Sequence, residues 1–260
     1  MIVLTRILTS FVGLIVFFTL LFIPSSIPFN IAVCAVIAVM LFEVYKSIKA
    51  DRILYIPGYL SFVLILISIF TSASTSVIFT VSVAIYLICA VFLHGRTGYK
   101  SITSHCLLTY YITFFMGSLI TIRNKYDVFS VLLVFICAWI TDTGAYFSGR
   151  FLGKRKLIPN VSPKKTVEGA IGGVILCVLF VVFYTHVFGL VKADNILVTI
   201  LFAILASVLS QFGDLIASAI KRDCNIKDFG NVLPGHGGLT DRFDSVIFIS
   251  PFVLYFLSLI

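Results

Sequence analysis

The sequence predicts a polytopic all-α integral membrane protein with about nine transmembrane helices. Of its 260 residues, 60% are hydrophobic and 12% are charged, whereas a soluble domain is about half apolar and about a quarter charged. Apolar runs long enough, or nearly long enough, to cross a bilayer recur along the whole chain. The predicted spans are 7–23, 28–45, 54–71, 75–93, 105–122, 128–148, 167–190, 196–219 and 245–260.

The charges between these runs predict the orientation. If the N-terminus is cytoplasmic, 16 of the 19 Lys and Arg residues fall on the cytoplasmic side, as the positive-inside rule expects. The most basic polar loops, 149–166 and 220–244, then lie on that side together. We therefore expect N-terminal transmembrane helices in 1–104 and a catalytic transmembrane region in 105–260. The net charge of +8 follows from this loop bias and does not indicate a nucleic-acid partner.

The first four runs contain few polar residues. Glu43 lies near the end of the second run with Lys46 three residues on, so we expect a local ion pair at the membrane interface. His105 borders a predicted cytoplasmic loop, where we expect it to be solvated. The six cysteines show no paired spacing, which indicates a reduced protein without a disulfide framework or a zinc site.

A basic segment precedes the seventh run. Lys164 and Lys165 come directly before Thr166, a plausible N-cap, and Glu168 would lie in the first turn of the helix. A helix N-terminus flanked by lysines is an anion site. The preceding cations are equally compatible with anchoring at anionic headgroups; they are Arg150, Lys154, Arg155 and Lys156.

The densest polar stretch, 211–245, begins inside the eighth run. Asp214, Ser218 and Lys221 are spaced i, i+4, i+7 and share one helical face. A carboxylate at membrane depth costs about 2.5–3.5 kcal/mol on insertion scales, so Asp214 needs a cation or a basic partner. The turn at 234–238 holds three glycines, which permit positive φ and close approach of backbone N–H groups to a ligand.

Three further carboxylates complete the pattern. Asp241 and Asp244 flank Arg242 just before the last run, and Asp142 lies within the sixth. Carboxylates beside a glycine turn and several cations are typical of a site for Mg²⁺ and phosphates, because Mg²⁺ takes few protein ligands and completes its shell with water and phosphate oxygens. A solvated loop between two helices would not explain Asp214 or the glycines.

Two segments resemble the phosphatidate cytidylyltransferase (CDP-diacylglycerol synthase) family. The signature matches with every spacing intact at Ser218, Lys221, Arg222, Lys227, Asp228, Pro234, His236, Gly237, Gly238, Asp241, Arg242 and Asp244. The segments Asp-Thr-Gly-Ala-Tyr at 142–146 and Ser-Pro-Lys-Lys-Thr-x-Glu-Gly at 162–169 are also similar to the family. Val167 occupies the variable position, where many members have Trp.

The resemblance implies transfer of CMP from CTP to phosphatidate in the bilayer, with release of pyrophosphate and with Mg²⁺ as cofactor. It implies an enzyme of the cell (inner) membrane with a cytoplasmic active site, and it allows a homodimer. We expect Asp214 and Asp241 as metal ligands, with Asp142 and Asp244 as further ligands or neighbours. The residues expected to bind phosphates or orient groups are Lys164, Lys165, Ser218, Lys221, His236, Gly237, Gly238 and Arg242.

Two other functions share some of these features. A CTP-dependent polyprenol or phytol kinase would use the same residue types, but it would transfer the γ-phosphate and leave CDP. An ion-coupled transporter could use Asp142 and Asp214 to carry ions. Transporters tend to have internal repeats with interrupted helices in both halves, whereas the polar residues here concentrate after residue 139.

Overall fold

The computed structural model describes residues 2–71, 74–191, 195–232, 235 and 237–260, with side chains for all of these except 2–7. Within those ranges it is dominated by nine α-helices. They are α1 (Ile2–Phe22), α2 (Ile27–Ser47), α3 (Tyr55–Thr71), α4 (Thr75–Phe92), α5 (Tyr99–Lys125), α6 (Val128–Phe151), α7 (Val167–Val187), α8 (Ile196–Asp223) and α9 (Thr240–Leu259).

The predicted membrane class is confirmed. In the described part of the chain, α2 and α4–α9, together with the span Arg52–Thr71 that contains α3, are long and apolar enough to cross a membrane. The part of α1 whose side chains are described, Leu8–Phe22, is a shorter apolar helix. The count of nine spans and the cytoplasmic N-terminus stay predictions. The predicted division into N-terminal transmembrane helices (1–104) and a catalytic transmembrane region (105–260) also stays a prediction.

Helix ends differ from the predicted loops in a way that matters for the site. Because α8 continues to Asp223 and α9 begins at Thr240, the polar connection is 224–239 and is shorter than the predicted 220–244. Asp241 and Asp244 therefore lie in the first turns of a helix. A carboxylate there is stabilised by the helix dipole and by free N–H groups, which explains why the helix extends beyond its apolar run.

A short hairpin interrupts the helical pattern. Strands β1 (Lys156–Ile158) and β2 (Ser162–Thr166) pair antiparallel, with Lys156 opposite Thr166 and Ile158 opposite Ser162. The sequence pattern did not predict these strands. They lie within the predicted loop 149–166, so the all-α membrane class holds and the loop is ordered by backbone pairing.

The described residues form two compact units. The first comprises Met1–Thr121 and Ile226–Asp241, and the second comprises Ile122–Asn225 and Arg242–Ile260. Each unit therefore combines segments that are distant in the sequence.

A buried polar cluster joins helices of the first unit. The ring of His105 stacks on Tyr45 at 3.8 Å, and its Nδ1 lies 2.9 Å from the hydroxyl of Tyr86. Thr109 Oγ1 lies 2.8 Å from both tyrosine hydroxyls. His105 is fully buried, so its predicted solvated position is wrong. His105 Nδ1, the two tyrosine hydroxyls and Thr109 Oγ1 hydrogen-bond to one another, which lowers the cost of burying them.

In the second unit, α6 packs closely against α7. A Cβ at Gly144 would lie 3.1 Å from both the carbonyl oxygen of Gly172 and the Cα of Gly173. Only glycine fits this approach without displacement of one helix. The contact brings Asp142 on α6 close to the start of α7.

Candidate active site

A cavity of about 530 Å³ opens within the second unit. Its walls come from α6, the β1–β2 hairpin, the start of α7 and the C-terminal half of α8. The polar side chains that line it are Asp142, Tyr146, Arg150, Lys164, Lys165, Thr166, Gln211 and Asp214. Five of these eight are acidic or basic, which is unusual for the interior of a membrane domain and indicates a site for charged molecules.

The centre of the cavity wall is an ion pair. The Nζ of Lys165 lies 2.7 Å from Oδ2 of Asp214, and the two side chains are 23% and 29% exposed. Ser218 donates from Oγ to Oδ1 of Asp214 at 3.2 Å, as their shared helical face predicts. Asp214 therefore has the basic partner that its membrane depth requires. That partner comes from a residue 49 positions earlier in the chain.

The hairpin delivers the two lysines to the start of α7. Thr166, the predicted N-cap, is confirmed because its Oγ1 accepts a 3.1 Å hydrogen bond from the N–H of Gly169. Glu168 lies in the first turn, as predicted, and its carboxylate accepts bonds from the backbone N–H groups of Lys154 and Arg155. Lys164 is exposed. Both lysines precede a helix N-terminus, where an anion is stabilised.

Three predicted carboxylates belong to the second unit and interact there. Asp142 and Asp244 each interact electrostatically with Asp214. Asp142 is exposed towards the cavity and accepts a 3.4 Å hydrogen bond from Ser245 Oγ. Asp244 also interacts with Lys221. Like charges in one region repel each other, so this arrangement favours a bound cation.

Asp241 belongs to the first unit and has a different environment. It is buried, and its Oδ2 accepts hydrogen bonds from the backbone N–H of Phe229 at 2.8 Å and of Gly238 at 3.1 Å. These bonds order the connection between α8 and α9. Because Asp214 is in the second unit, the predicted pairing of these two aspartates on one metal ion stays a prediction.

The glycines of this connection have two separate roles. Gly235 and Gly237 have φ of +79° and +86°, the conformation that the sequence predicts for this turn. Gly238 instead makes room for a side chain, because a Cβ there would lie 2.6 Å from Oε1 of Glu43. Phosphate binding at Gly237 and Gly238 stays a prediction, and the N–H of Gly238 donates to Asp241.

Glu43 is the residue that sequence reasoning missed. Instead of an ion pair with Lys46, its buried carboxylate accepts hydrogen bonds from the N–H groups of Leu239 and Thr240, both at 2.9 Å, and from Thr240 Oγ1 at 2.8 Å. The only sequence signal was a carboxylate within an apolar run. Its partners are almost 200 positions away, so no local pattern could identify them.

Two predicted residues add little to this description. His236 lies outside the described residues. Arg242 is exposed in the first turn of α9, and its role in phosphate binding stays a prediction.

The donor chemistry of the second unit fits Mg²⁺. Across the described ranges, no group of three or more His, Cys, Asp or Glu side chains is arranged to hold a metal ion. Mg²⁺ does not need such a group, because one or two carboxylates suffice when phosphates and water complete the octahedron. Asp214 and Asp142 both line the cavity and offer only oxygen donors, which suit a hard cation.

Comparison with known proteins shows the family of this chain. A sequence profile described as the cytidylyltransferase family matches residues 4–260. This chain belongs to the cytidylyltransferase family. The predicted enzyme class, a nucleotidyltransferase in the membrane, is therefore confirmed.

Individual members of the cytidylyltransferase family agree. A Bacillus subtilis protein named phosphatidate cytidylyltransferase is 35% identical over 267 aligned positions, which cover 98% of this chain and 97% of that protein. Proteins of the same name match over shorter stretches. The one from Thermotoga maritima is 36% identical over 59% of this chain and 58% of its own length. The one from Staphylococcus haemolyticus is 48% identical over 46% of each. The resemblance based on the motifs is confirmed.

Proposed function

We propose that this chain transfers CMP from CTP to phosphatidate and releases pyrophosphate and CDP-diacylglycerol. The observation that carries the proposal is the Lys165–Asp214 ion pair in the wall of a charged cavity beside the N-terminus of α7. The pair presents a cation and a carboxylate to one space. Transfer between two phosphorylated substrates needs both, the cation for phosphate oxygens and the carboxylate for a metal ion.

The reaction is a substitution at phosphorus. A phosphate oxygen of phosphatidate forms a bond to the α-phosphorus of CTP, and the bond from that phosphorus to the bridging α–β oxygen breaks. Pyrophosphate leaves with the electron pair. Both reactants are anionic, so the barrier consists largely of charge repulsion and positioning. Lys164, Lys165 and Arg150 line the cavity and would hold phosphate oxygens in place.

Bound Mg²⁺ would neutralise charge on the phosphates. Asp214 and Asp142 would hold it, with Asp244 and Asp241 as the other predicted carboxylates. Ser218 donates to Asp214 and so fixes the orientation of that carboxylate. Lys165 balances the charge of Asp214 and would contact a phosphate oxygen of a bound substrate.

The active site would face the cytoplasm at the level of the lipid headgroups of the cell (inner) membrane. The basic hairpin residues Lys154, Arg155 and Lys156 are exposed, and exposed cations beside a membrane helix favour the cytoplasmic side. Phosphatidate would enter from the bilayer and CTP from the cytosol. A homodimer stays a prediction that cross-linking in the membrane would test.

The decisive assay supplies the purified protein with phosphatidate and CTP labelled at either the α- or the γ-phosphate. We expect the α-label in lipid and the γ-label in pyrophosphate. Recovery of the γ-label in lipid with release of CDP would indicate a CTP-dependent lipid kinase and would overturn the proposal. Ion uptake by vesicles that contain the protein, without lipid product, would indicate the transporter alternative.

A further inference from the structure

Segment Ile226–Asp241 contains most of the connection between α8 and α9 and the first two residues of α9. The carboxylate of Glu43 is one point where this segment is attached to α2. Glu43 is 2% exposed and lies on the mostly apolar helix α2, in which it is the one carboxylate. Its two oxygens accept three hydrogen bonds from Leu239 and Thr240. A buried carboxylate is costly unless donors surround it, so bonds of this kind are short, directional and hard to replace.

Two glycines allow the connection to come this close. A Cβ at Gly230 would lie 2.5 Å from Oε1 of Glu43, and a Cβ at Gly238 would lie 2.6 Å from the same atom. Neither glycine has a positive φ, so backbone conformation does not require glycine at either position. The space for the Glu43 side chain does.

A second set of bonds supports the same arrangement. Ser47, one turn after Glu43 on α2, donates from Oγ to the carbonyl oxygen of Phe229 at 3.1 Å. The N–H of Phe229 in turn donates to Asp241. The connection is therefore fixed at both of its ends, at 229 and at 238–240, and every contact belongs to the first unit.

We propose that Glu43 is a positioning residue for the reaction: it holds Gly238 and Asp241 in the conformation that the chemistry requires. It acts through its hydrogen bonds with Leu239 and Thr240 and through the space that it occupies beside Gly238. The proposal assigns a functional role to a helix that the sequence alone indicated to be only a membrane span. Its activity measurement rests on the proposed function, whereas its structural measurement does not.

The structural measurement is amide hydrogen exchange of Glu43→Gln in detergent. The amide keeps the size of the side chain but replaces one acceptor oxygen with a donor, which then faces an N–H group. Loss of a charge-assisted bond predicts exchange about tenfold or more faster at Phe229, Gly238, Leu239 and Thr240, with α3 unchanged. Unchanged exchange at these amides, or an equal rise throughout the first unit, would overturn the proposal.

The matched control is Asp51→Asn. Asp51 is a carboxylate of the same unit that pairs with exposed Arg96 at 3.0 Å and also accepts hydrogen bonds from Ile53 and Thr97. Removal of its charge should leave both exchange in 226–241 and turnover as they were. If Asp51→Asn raised amide exchange in 226–241 as strongly as Glu43→Gln does, loss of any carboxylate charge in this unit would have that effect. The specific role of Glu43 would then be rejected.

A double-mutant cycle gives an independent test through activity. Gly230→Ala places a methyl group against Glu43, and we expect kcat to fall about tenfold while KM for CTP changes less than about twofold. In the Glu43→Ala protein the added methyl group meets no carboxylate. Gly230→Ala should therefore lower kcat little further than Glu43→Ala alone. Equal losses in both backgrounds would show that Gly230 does not act through Glu43.

Failure of the proposed function is distinguishable from failure of this inference. If no CMP transfer occurs, the exchange measurements still decide whether Glu43 holds the connection. If transfer occurs and Glu43→Gln has normal kcat despite faster exchange, then the conformation of the connection does not limit the chemistry and the positioning role is excluded.

Discussion

Lys165 and Asp214 form an ion pair of 2.7 Å between the strand that precedes α7 and the middle of α8. Pairing lowers the free-energy cost of both charges, because an unpaired charge at membrane depth is costly. The pair is also only partly buried, so both groups remain available to substrates. The effects expected for substitutions of Lys165 and Asp214 follow from this relationship.

Lys165→Ala should lower kcat/KM by about a hundredfold, because it removes a cation from the phosphate site and leaves Asp214 close to two other carboxylates. Lys164→Ala should cost only about fivefold, because Lys164 is exposed and solvent weakens the attraction of an exposed charge. Steady-state assays with both substrates measure these losses, and Lys100→Ala is a control for loss of an exposed cation elsewhere. Equal effects at Lys164 and Lys100 would return Lys164 to a role in membrane anchoring.

Asp214→Asn should reduce turnover by at least about a thousandfold while the protein still inserts and folds. A neutral amide is cheaper to bury than a carboxylate, and the ion pair it breaks is partly exposed, so the change in stability should stay within about 1 kcal/mol. Turnover and thermal unfolding are measured on the same preparation. An active Asp214→Asn protein would remove the centre of the proposed site.

Asp241→Asn should behave differently from Asp214→Asn. Asp241 accepts two backbone hydrogen bonds through one oxygen, and an amide can provide that acceptor in only one of its two orientations. We therefore expect lost turnover together with faster amide exchange at Phe229 and Gly238. Lost turnover without any change in exchange would instead favour direct metal binding by Asp241.

Removal of divalent cations should abolish CMP transfer, and Mg²⁺ should restore it, since the carboxylates in the cavity offer only oxygen donors. The measurement is product formation in excess chelator, followed by titration with Mg²⁺. Full turnover in the presence of chelator would contradict the metal requirement. The Asp142→Asn protein should need more Mg²⁺ for half-maximal activity, whereas Asp127→Asn, at the N-cap of α6, should not.

Thr166→Ala should lower stability by about 1 kcal/mol, because the N–H of Gly169 loses its cap. Thr166→Ser keeps the hydroxyl and should retain most of that stability. The check is the midpoint of thermal unfolding in detergent, with a shift of roughly 2–4 °C for a chain of this size. Equal midpoints for the alanine and serine proteins would show that the cap does not stabilise α7.

The sequence by itself determined the membrane class, the approximate spans and the family. Hydropathy and loop charge are local quantities, so they can be read without knowledge of the fold. The caps at Thr166 and the shared face of Asp214 and Ser218 were also predictable, because they depend on spacing within one helix. The motif spacing identified the cytidylyltransferase family because its residues lie in two continuous segments.

Only the tertiary structure decided which distant residues contact each other. Lys165 reaches Asp214 across 49 positions, and Glu43 reaches Thr240 across 197. In both cases a charge inside an apolar run signalled that a partner must exist, but the cost of burial does not say where the partner is. The sequence pattern assigned Glu43 to Lys46 because proximity in a helix is the only proximity it shows. The same limit explains Gly238, where glycine indicated close approach and only the fold revealed that a side chain of α2 makes it.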